Sequence, residues 1–225
     1  MYDVSIIIPC LNEEDNIEKC VRGVPELPWR YEIVVVNDGS TDNTFSVAKK
    51  IKMKNLNVVG YRKNRGKGYA IRYGIKYSKG KVGVIQDADM ATPPEELENI
   101  LRPIMLNRAD FVNGSRLRYP MELGAMKGVH VLGNKIFAFA VSLMIWKRLT
   151  DTLCGFKAFR IKEFKDNLKE DTWPDFELIL KAKKSNMRIV EVPIHYKRRV
   201  AGQSKMKTFS HAYKMSKILI RSLFY

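Results

Sequence analysis

The sequence predicts an α/β fold, a mostly parallel central sheet flanked by helices. Three observations carry this. The short apolar runs "VSIIIP", "EIVVVND" and "KVGVIQD" are apolar throughout rather than alternating, as in strands buried on both faces. Segments with apolar residues at helical spacing lie between them. The acid-bearing segments "CLNEED", "NDGSTD" and "DADMATPPEE" each follow an apolar run. They thus fall at the carboxyl ends of strands, where such sheets bind ligands.

Taken in order, residues 4–9 form a strand closed by Pro9. Asn12 then stands as an N-cap, acids fill the first turn, and Ile17, Cys20, Val21 and Val24 make an apolar stripe. Residues 31–38 are a second strand, and residues 44–51 a helix. A third strand, "NVVGYR", and the helix "KGYAIRYGIKYS" follow. A fourth strand ends in Asp87 and Asp89. Pro93, Pro94, Glu95 and Glu96 open the next helix, by the usual grammar of a helix start. The second half is less regular. It offers strands in "ADFVNGSR", "DTLCGFKAFR" and "RIVEVPIHYKRR", and a helix in "WPDFELILKAKKS" capped near Asp175. Residues 208–225 form a basic amphipathic helix. Tyr213, Met215, Ile218, Leu219, Leu223 and Phe224 share one face, and Lys214, Lys217 and Arg221 favour the other.

A chain of 225 residues fills one such domain and is short for two. The division expected is residues 1–207 as the catalytic domain and residues 208–225 as an appended helix, either in a membrane interface or packed on the core. Forty Lys and Arg against 24 Asp and Glu give a net charge of +16, which favours polyanions: nucleic acid, an anionic membrane surface or phosphorylated substrates. Cys10, Cys20 and Cys154 are odd in number and show no CxxC spacing, as expected of reduced thiols in a cytosolic protein. No basic and apolar leader opens the sequence. The most apolar segment, residues 131–146, contains Asn134 and Lys135 and falls short of the ~20 residues of a spanning helix. It reads as a core or interfacial helix.

Four segments carry chemistry. Asp87 and Asp89, separated by Ala88, can converge on one hard cation, Mg²⁺ or Mn²⁺. No His or Cys cluster accompanies them, which argues against zinc; the alternative is a solvated loop. Asp38 can accept hydrogen bonds from a nucleobase or ribose, while Gly39 to Asp42 read equally well as a plain strand-to-helix turn. Gly66 and Gly68 can present backbone N–H groups to a phosphate, with Arg65 and Lys67 adding charge, or belong to a surface loop. Arg198, Arg199, Gly202, Ser204 and Lys205 form a basic loop that either closes over a diphosphate or is merely solvated.

Taken together, the strings "SIIIPCLNEEDNI", "EIVVVNDGSTDNT", "NRGKGYAIRYG", "QDADMATPPEEL", "NGSR", "DTLCGFKAFR", "DFELILKA", "EVPIHYKRR" and "GQSK" resemble, in order, family 2 glycosyltransferases of the dolichyl-phosphate sugar synthase type. The resemblance implies the GT-A nucleotide-sugar fold. It implies that Pro9, Leu11, Glu13 and Asp38 line a nucleoside pocket, with Lys67 and Ser204 also at the substrates. Asp87, Ala88 and Asp89 would hold metal and diphosphate, and Arg116, Arg199 and Lys205 would contact phosphates; Asp89, Arg116 and Lys205 would carry catalysis. Ala91 stands where the mannosyl branch often has Gln, and "DADMATPPE" and "DTLCGFK" are closer to the glucosyl branch, so UDP-glucose is expected ahead of GDP-mannose or UDP-N-acetylglucosamine.

The reaction so implied is an inverting transfer of a hexosyl group to dolichyl (polyprenyl) phosphate, on the cytoplasmic face of an anionic membrane. A phosphate monoester, with a second pKa of about 6, attacks without a general base, so such a site needs cations more than a catalytic carboxylate. Asp175 and Glu177 are the candidates for a base or for acceptor contacts, with helix capping as the other role. The rival reading is transfer to a sugar hydroxyl. Nucleic acid is not expected as a partner, since acids cluster where the ligand should sit.

Overall fold

The computed structural model describes residues 2–120, 122, 126, 128–165, 168–197 and 208–222; within the last helix, side chains are described for residues 213–220. Seven strands form one sheet: β1 (Val4–Cys10), β2 (Tyr31–Asp38), β3 (Leu56–Tyr61), β4 (Val82–Ile85), β5 (Phe111–Ser115), β6 (Lys157–Arg160) and β7 (Ile189–Pro193). Their order is β3-β2-β1-β4-β6-β5-β7. β1 pairs in parallel with β2 and β4, β2 with β3, and β5 with β7. β6 runs antiparallel between β4 and β5. The sheet is thus mostly parallel, as expected, and β1, β2, β4 and β5 all end on the same edge.

Among the described residues seven α-helices accompany it: α1 (Ile17–Arg22), α2 (Thr44–Lys50), α3 (Lys67–Tyr77), α4 (Leu97–Met105), α5 (Gly128–Ile145), α6 (Asp175–Lys184) and α7 (Thr208–Ser222). Alternate residues of the strands feed two cores. Ile6, Ile8, Ile33, Val35 and Val84 face α1 and α4. Ile7, Val34, Val36 and Ile85 face α3, α5 and α6. Burial on both faces explains why the strands read as continuous apolar runs.

Three local expectations change. Asn12 is not a helix cap: it sits in a left-handed turn at φ 55°, and α1 starts only at Ile17. Its Oδ1 instead accepts from the Thr41 N–H, tying the loop after β1 to the loop after β2. The apolar segment is longer than its sequence suggested. α5 has 18 residues, enough by length and composition alone to cross a membrane, with 22% of them buried. One side of it is nevertheless buried against the protein, at Asn134, Ala138, Val141 and Ile145, beside α6 and α7. In α7, Met215 and Ile218 are buried against the protein while Tyr213 and Ile220 are exposed, so the core takes part of its apolar face. Leu223 and Phe224 lie outside the described residues.

α3 lies closest to the sheet, and Gly74 allows it. A methyl group there would sit 2.5 Å from Ile7 Cγ2 and 3.1 Å from Val36 Cγ2. Helix propensity favours Ala over Gly by about 1 kcal/mol, and overpacking costs about 1–3 kcal/mol. Gly74→Ala is therefore expected to lower the midpoint of thermal unfolding by a few degrees, and a rise would contradict this packing.

Candidate active site

The loops that follow β1, β2, β4 and β5 surround a cleft of about 370 Å³. That is within the ~300–1,000 Å³ usual for small-ligand sites. Pro9, Leu11, Glu13, Asp38, Lys67, Asp87, Ala88, Asp89 and Arg116 all line it. Residues scattered over more than 100 positions converge because parallel strands deliver their following loops to one edge. Arg199, Ser204 and Lys205 lie outside the described residues. The segment that holds them is flanked by two residues of the cleft wall, Tyr196 and Met215.

Asp38 is buried at the end of β2. Its Oδ1 accepts from Tyr61 Oη at 2.8 Å and from the Arg65 N–H at 2.8 Å, and its Oδ2 from the Gly66 N–H at 3.0 Å. Three of the roughly four lone-pair directions of the carboxylate are filled by the protein. Asp38 therefore braces the loop before α3. This corrects the expectation that Gly66 and Gly68 offer N–H groups to a phosphate: the Gly68 N–H donates to the Asp171 carbonyl at 2.7 Å. Gly66 sits at φ +99°, where a side chain is strained, and its Cβ would lie 2.4 Å from the Asp171 oxygen. Glycine is there for this close approach of backbones.

Beyond β4, the Met90 N–H donates to the Asp87 carbonyl and the Ala91 N–H to Asp89 Oδ1, so a tight turn holds both carboxylates at the strand end. Lys67 Nζ lies 2.5 Å from Asp87 Oδ1. Burial alone would lower the Lys67 pKa, but Asp87, then Asp175 and Asp89, reverse this and hold it above the ordinary lysine value. Gly155 closes the group. A Cβ there would come within 2.5 Å of Lys67 Nζ and 2.8 Å of Asp87 Oδ2. Within "DTLCGFK" this glycine carries no local signal, because its reason lies across the cleft. Among the described residues no cluster of three His, Cys, Asp or Glu side chains could hold a metal. The pair Asp87 and Asp89 still suits a hard divalent cation whose remaining ligands come from a diphosphate.

On the far side, Arg116 follows β5. Its Nε and Nη2 donate to the two carboxylate oxygens of Asp151, at 2.7 and 2.9 Å, and its backbone N–H donates to Oδ2 at 3.0 Å. Asp151 is fully buried, and Asn134 Nδ2 donates to it at 2.6 Å. Burial pushes the Asp151 pKa up, but Arg116 and Asn134 outweigh it and leave it below the ordinary aspartate value. Two of the five guanidinium donors of Arg116 are thereby committed, and the rest can serve an anion.

Asp175 and Glu177 do not cap α6. Asp175 Oδ1 accepts from the fully buried Lys157 Nζ at 3.0 Å. Glu177 accepts from the Lys169 and Glu170 N–H groups, at 2.6 and 2.9 Å, and so braces the loop that lies over Gly66 and Gly68. Burial, then Glu13 and other carboxylates, pushes the Cys10 thiol up to about 12. Cys154 is also pushed to about 12, by burial, with Arg116 opposing. All three cysteines are free, buried thiols.

The Arg116–Asp151 pair gives a prediction. Removing one partner of a buried pair costs about 3–5 kcal/mol, so Asp151→Asn should lower the urea midpoint strongly. The folded-state pKa of Asp151 is depressed, so its stabilisation is complete above the unfolded pKa of about 3.9 and is lost as pH falls through the folded value. Wild-type stability should accordingly fall more steeply below pH ~4 than that of the variant. Equal slopes would show that Asp151 does not carry the charge.

Residues 5–168 match the family described as Glycosyl transferase family 2. A dolichyl-phosphate beta-glucosyltransferase of Dictyostelium discoideum is 30% identical over 246 residues, covering 98% of this chain and 74% of that protein. A UDP-N-acetylglucosamine–dolichyl-phosphate N-acetylglucosaminyltransferase of Methanococcus voltae is 29% identical over 212 residues, 85% of this chain and 84% of that one. Among solved structures, the glucosyl-3-phosphoglycerate synthase of Mycobacterium tuberculosis, in complex with Mn²⁺, UDP-glucose and phosphoglyceric acid, superposes with a TM-score of 0.75. That likeness covers 99% of this chain and 78% of the other at 19% identity, which speaks for the fold, GT-A, and for nothing finer. The seven-stranded sheet, the cleft on its carboxyl edge and the match over residues 5–168 together make this chain a glycosyltransferase of family 2.

Proposed function

We propose that this enzyme is an inverting, metal-dependent hexosyltransferase. Its donor is a nucleotide diphosphate-sugar, UDP-glucose foremost, with GDP-mannose and UDP-N-acetylglucosamine behind. Its acceptor is the phosphate of dolichyl phosphate or another polyprenyl phosphate, at the cytoplasmic face of a membrane. The product would feed protein or cell-surface glycosylation. The names of the two relatives support the acceptor, and their different sugars leave the donor to experiment.

One observation carries the reading. Every carboxylate that lines the cleft already receives a donor from the protein. Glu13 takes Asn16 Nδ2, Asp38 takes Tyr61 and two N–H groups, and Asp87 takes Lys67. Asp89 takes the Ala91 N–H, and Asp175 takes Lys157. A site so arranged suits an acceptor that needs no deprotonation, and a phosphate dianion is one.

Pro9 and Leu11 give the nucleoside an apolar wall, with Asp38 and Glu13 at its polar edge. Asp87 and Asp89 would hold the cation, which neutralises charge on the leaving diphosphate. Lys67 adds a fixed positive charge beside Asp87, and Gly155 leaves the space for it. Arg116, already oriented by Asp151, meets an acceptor or donor phosphate without reorganising. The resemblance that assigns Arg199 and Lys205 to the phosphates completes the cationic set. In-line attack on the anomeric carbon inverts it, giving a β-linked product from an α-linked donor.

The test is incubation with dolichyl phosphate, Mg²⁺ or Mn²⁺ and each labelled donor in turn, followed by counting the organic phase. Label from one donor, reduced about a hundredfold or more in Asp89→Ala, is the expected result. Release of nucleotide with label on a sugar hydroxyl, and none in the lipid, would replace this acceptor with the rival one.

A further inference from the structure

The chain beyond β7 crosses the carboxyl edge of the sheet. β7 lies at the end of the sheet, three places from β4. Pro193 still pairs with Ser115 of β5. The Ile194 N–H then donates to the Ser115 carbonyl at 3.0 Å, and the Lys197 N–H to the Ala91 carbonyl, beyond β4, at 2.8 Å. Residues 193–197 therefore form a strap from the end of β5 to the loop after β4. Tyr196, on this strap, lines the cleft. Its ring lies 5.1 Å from the Arg116 guanidinium, a cation–π contact.

The strap is fastened at His195. The backbone N–H of His195 donates to Glu96 Oε1 at 3.1 Å, and its Nδ1 lies 2.5 Å from the same oxygen. Asn99 Nδ2 donates to Glu96 Oε2 at 3.0 Å and to the Pro193 carbonyl at 3.1 Å. Burial pushes the Glu96 pKa up, but Asn99 and His195 outweigh it and leave it below the ordinary glutamate value. Glu96 is therefore a carboxylate, which only accepts, so the hydrogen between the two groups sits on Nδ1. From the other side the Tyr119 ring stacks on the imidazole, with centroids 4.7 Å apart and planes at 23°. The His195 side chain is 63% exposed and the Glu96 side chain 10%. A buried carboxylate whose partners are an exposed histidine and the backbone of the strap holds the strap rather than the core.

Arg116 gives this clasp its use. Asp151 holds one edge of the guanidinium, and Tyr196 covers a face. The remaining donors lie in the guanidinium plane and serve an anion in the cleft. We infer that Glu96 and His195 are positioning residues for the acceptor phosphate: their clasp holds residues 193–197 so that Tyr196 keeps the Arg116 guanidinium turned toward it. The inference rests on the proposed function, in which the cation of Asp87 and Asp89 takes the diphosphate on the opposite wall and leaves Arg116 to the acceptor. It adds two residues that touch no substrate. Arg199 follows Tyr196 by three residues, so the same clasp sets where the basic segment begins.

The test is steady-state transfer to dolichyl phosphate in detergent, with each substrate varied in turn. His195→Ala should raise the KM for dolichyl phosphate about tenfold, with kcat and the KM for the donor changed by less than about twofold. Glu96→Ala should act in the same direction. His195→Asn puts an amide donor where Nδ1 stands and should recover most of the loss. Because His195 acts through Tyr196, adding His195→Ala to Tyr196→Leu should raise the KM no further. The thermal midpoints of the His195 variants should stay within about 3 °C of the wild type, as for an exposed side chain. A parallel rise in both KM values, full additivity in the double variant, or no recovery in His195→Asn would overturn the inference. The proposed reaction fails separately. A wild type that labels dolichyl phosphate while the variants keep its acceptor KM sinks the clasp alone, whereas a wild type that puts no label on the lipid sinks the proposed acceptor and the clasp with it.

Discussion

Asp151 is the point on which the working half of the molecule depends. It is a carboxylate with no access to water, held by Arg116 from the end of β5 and by Asn134 from α5. The turn that carries it is fixed from β7, since Glu191 accepts from the Thr150 and Asp151 N–H groups and from Thr150 Oγ1. Asn113 Nδ2 donates to the Asp151 carbonyl at 2.7 Å. Four elements thus meet in one buried polar joint. Such joints are costly to leave half-satisfied, and when satisfied they specify a single arrangement.

Two consequences follow from that joint. Arg116 reaches the cleft with its orientation set and its charge stabilised before any phosphate arrives. α5 is docked by its polar residue, Asn134, so the apolar residues on its other side stay outside the protein. The same logic repeats across the cleft, where Lys67 stands against Asp87 and Lys157 against Asp175. The proposed diphosphate and phosphate would need many cations close together, and in a chain of net charge +16 the interleaved carboxylates keep those cations in place.

Much of this was legible in the sequence. The strands were visible because burial on both faces leaves no alternation, and the acids at their ends were visible because parallel strands share a ligand-binding edge. What stayed hidden depended on partners distant in sequence. Gly66 and Gly68 fit either a phosphate loop or a surface loop, and only Asp38 and the Asp171 carbonyl, about 100 residues on, show their N–H groups to be engaged. Gly155 matters through Lys67 and Asp87. Asp175 and Glu177 looked like caps because acids at a helix start usually are; the buried Lys157 and the loop at residues 169–170 claim them instead. α5 looks short in the sequence because Asn134 and Lys135 interrupt its apolar run, although one is turned inward to Asp151 and the other lies at the surface.

The central claim is that Asp87 and Asp89 form half of a cation site that a nucleotide diphosphate completes. Calorimetric titration of UDP with and without Mn²⁺ tests it most directly. The account predicts that Mn²⁺ tightens UDP binding about tenfold or more in the wild type and not in Asp89→Ala. Binding of UDP that is equally tight without the metal, or equally strengthened in the variant, would contradict it.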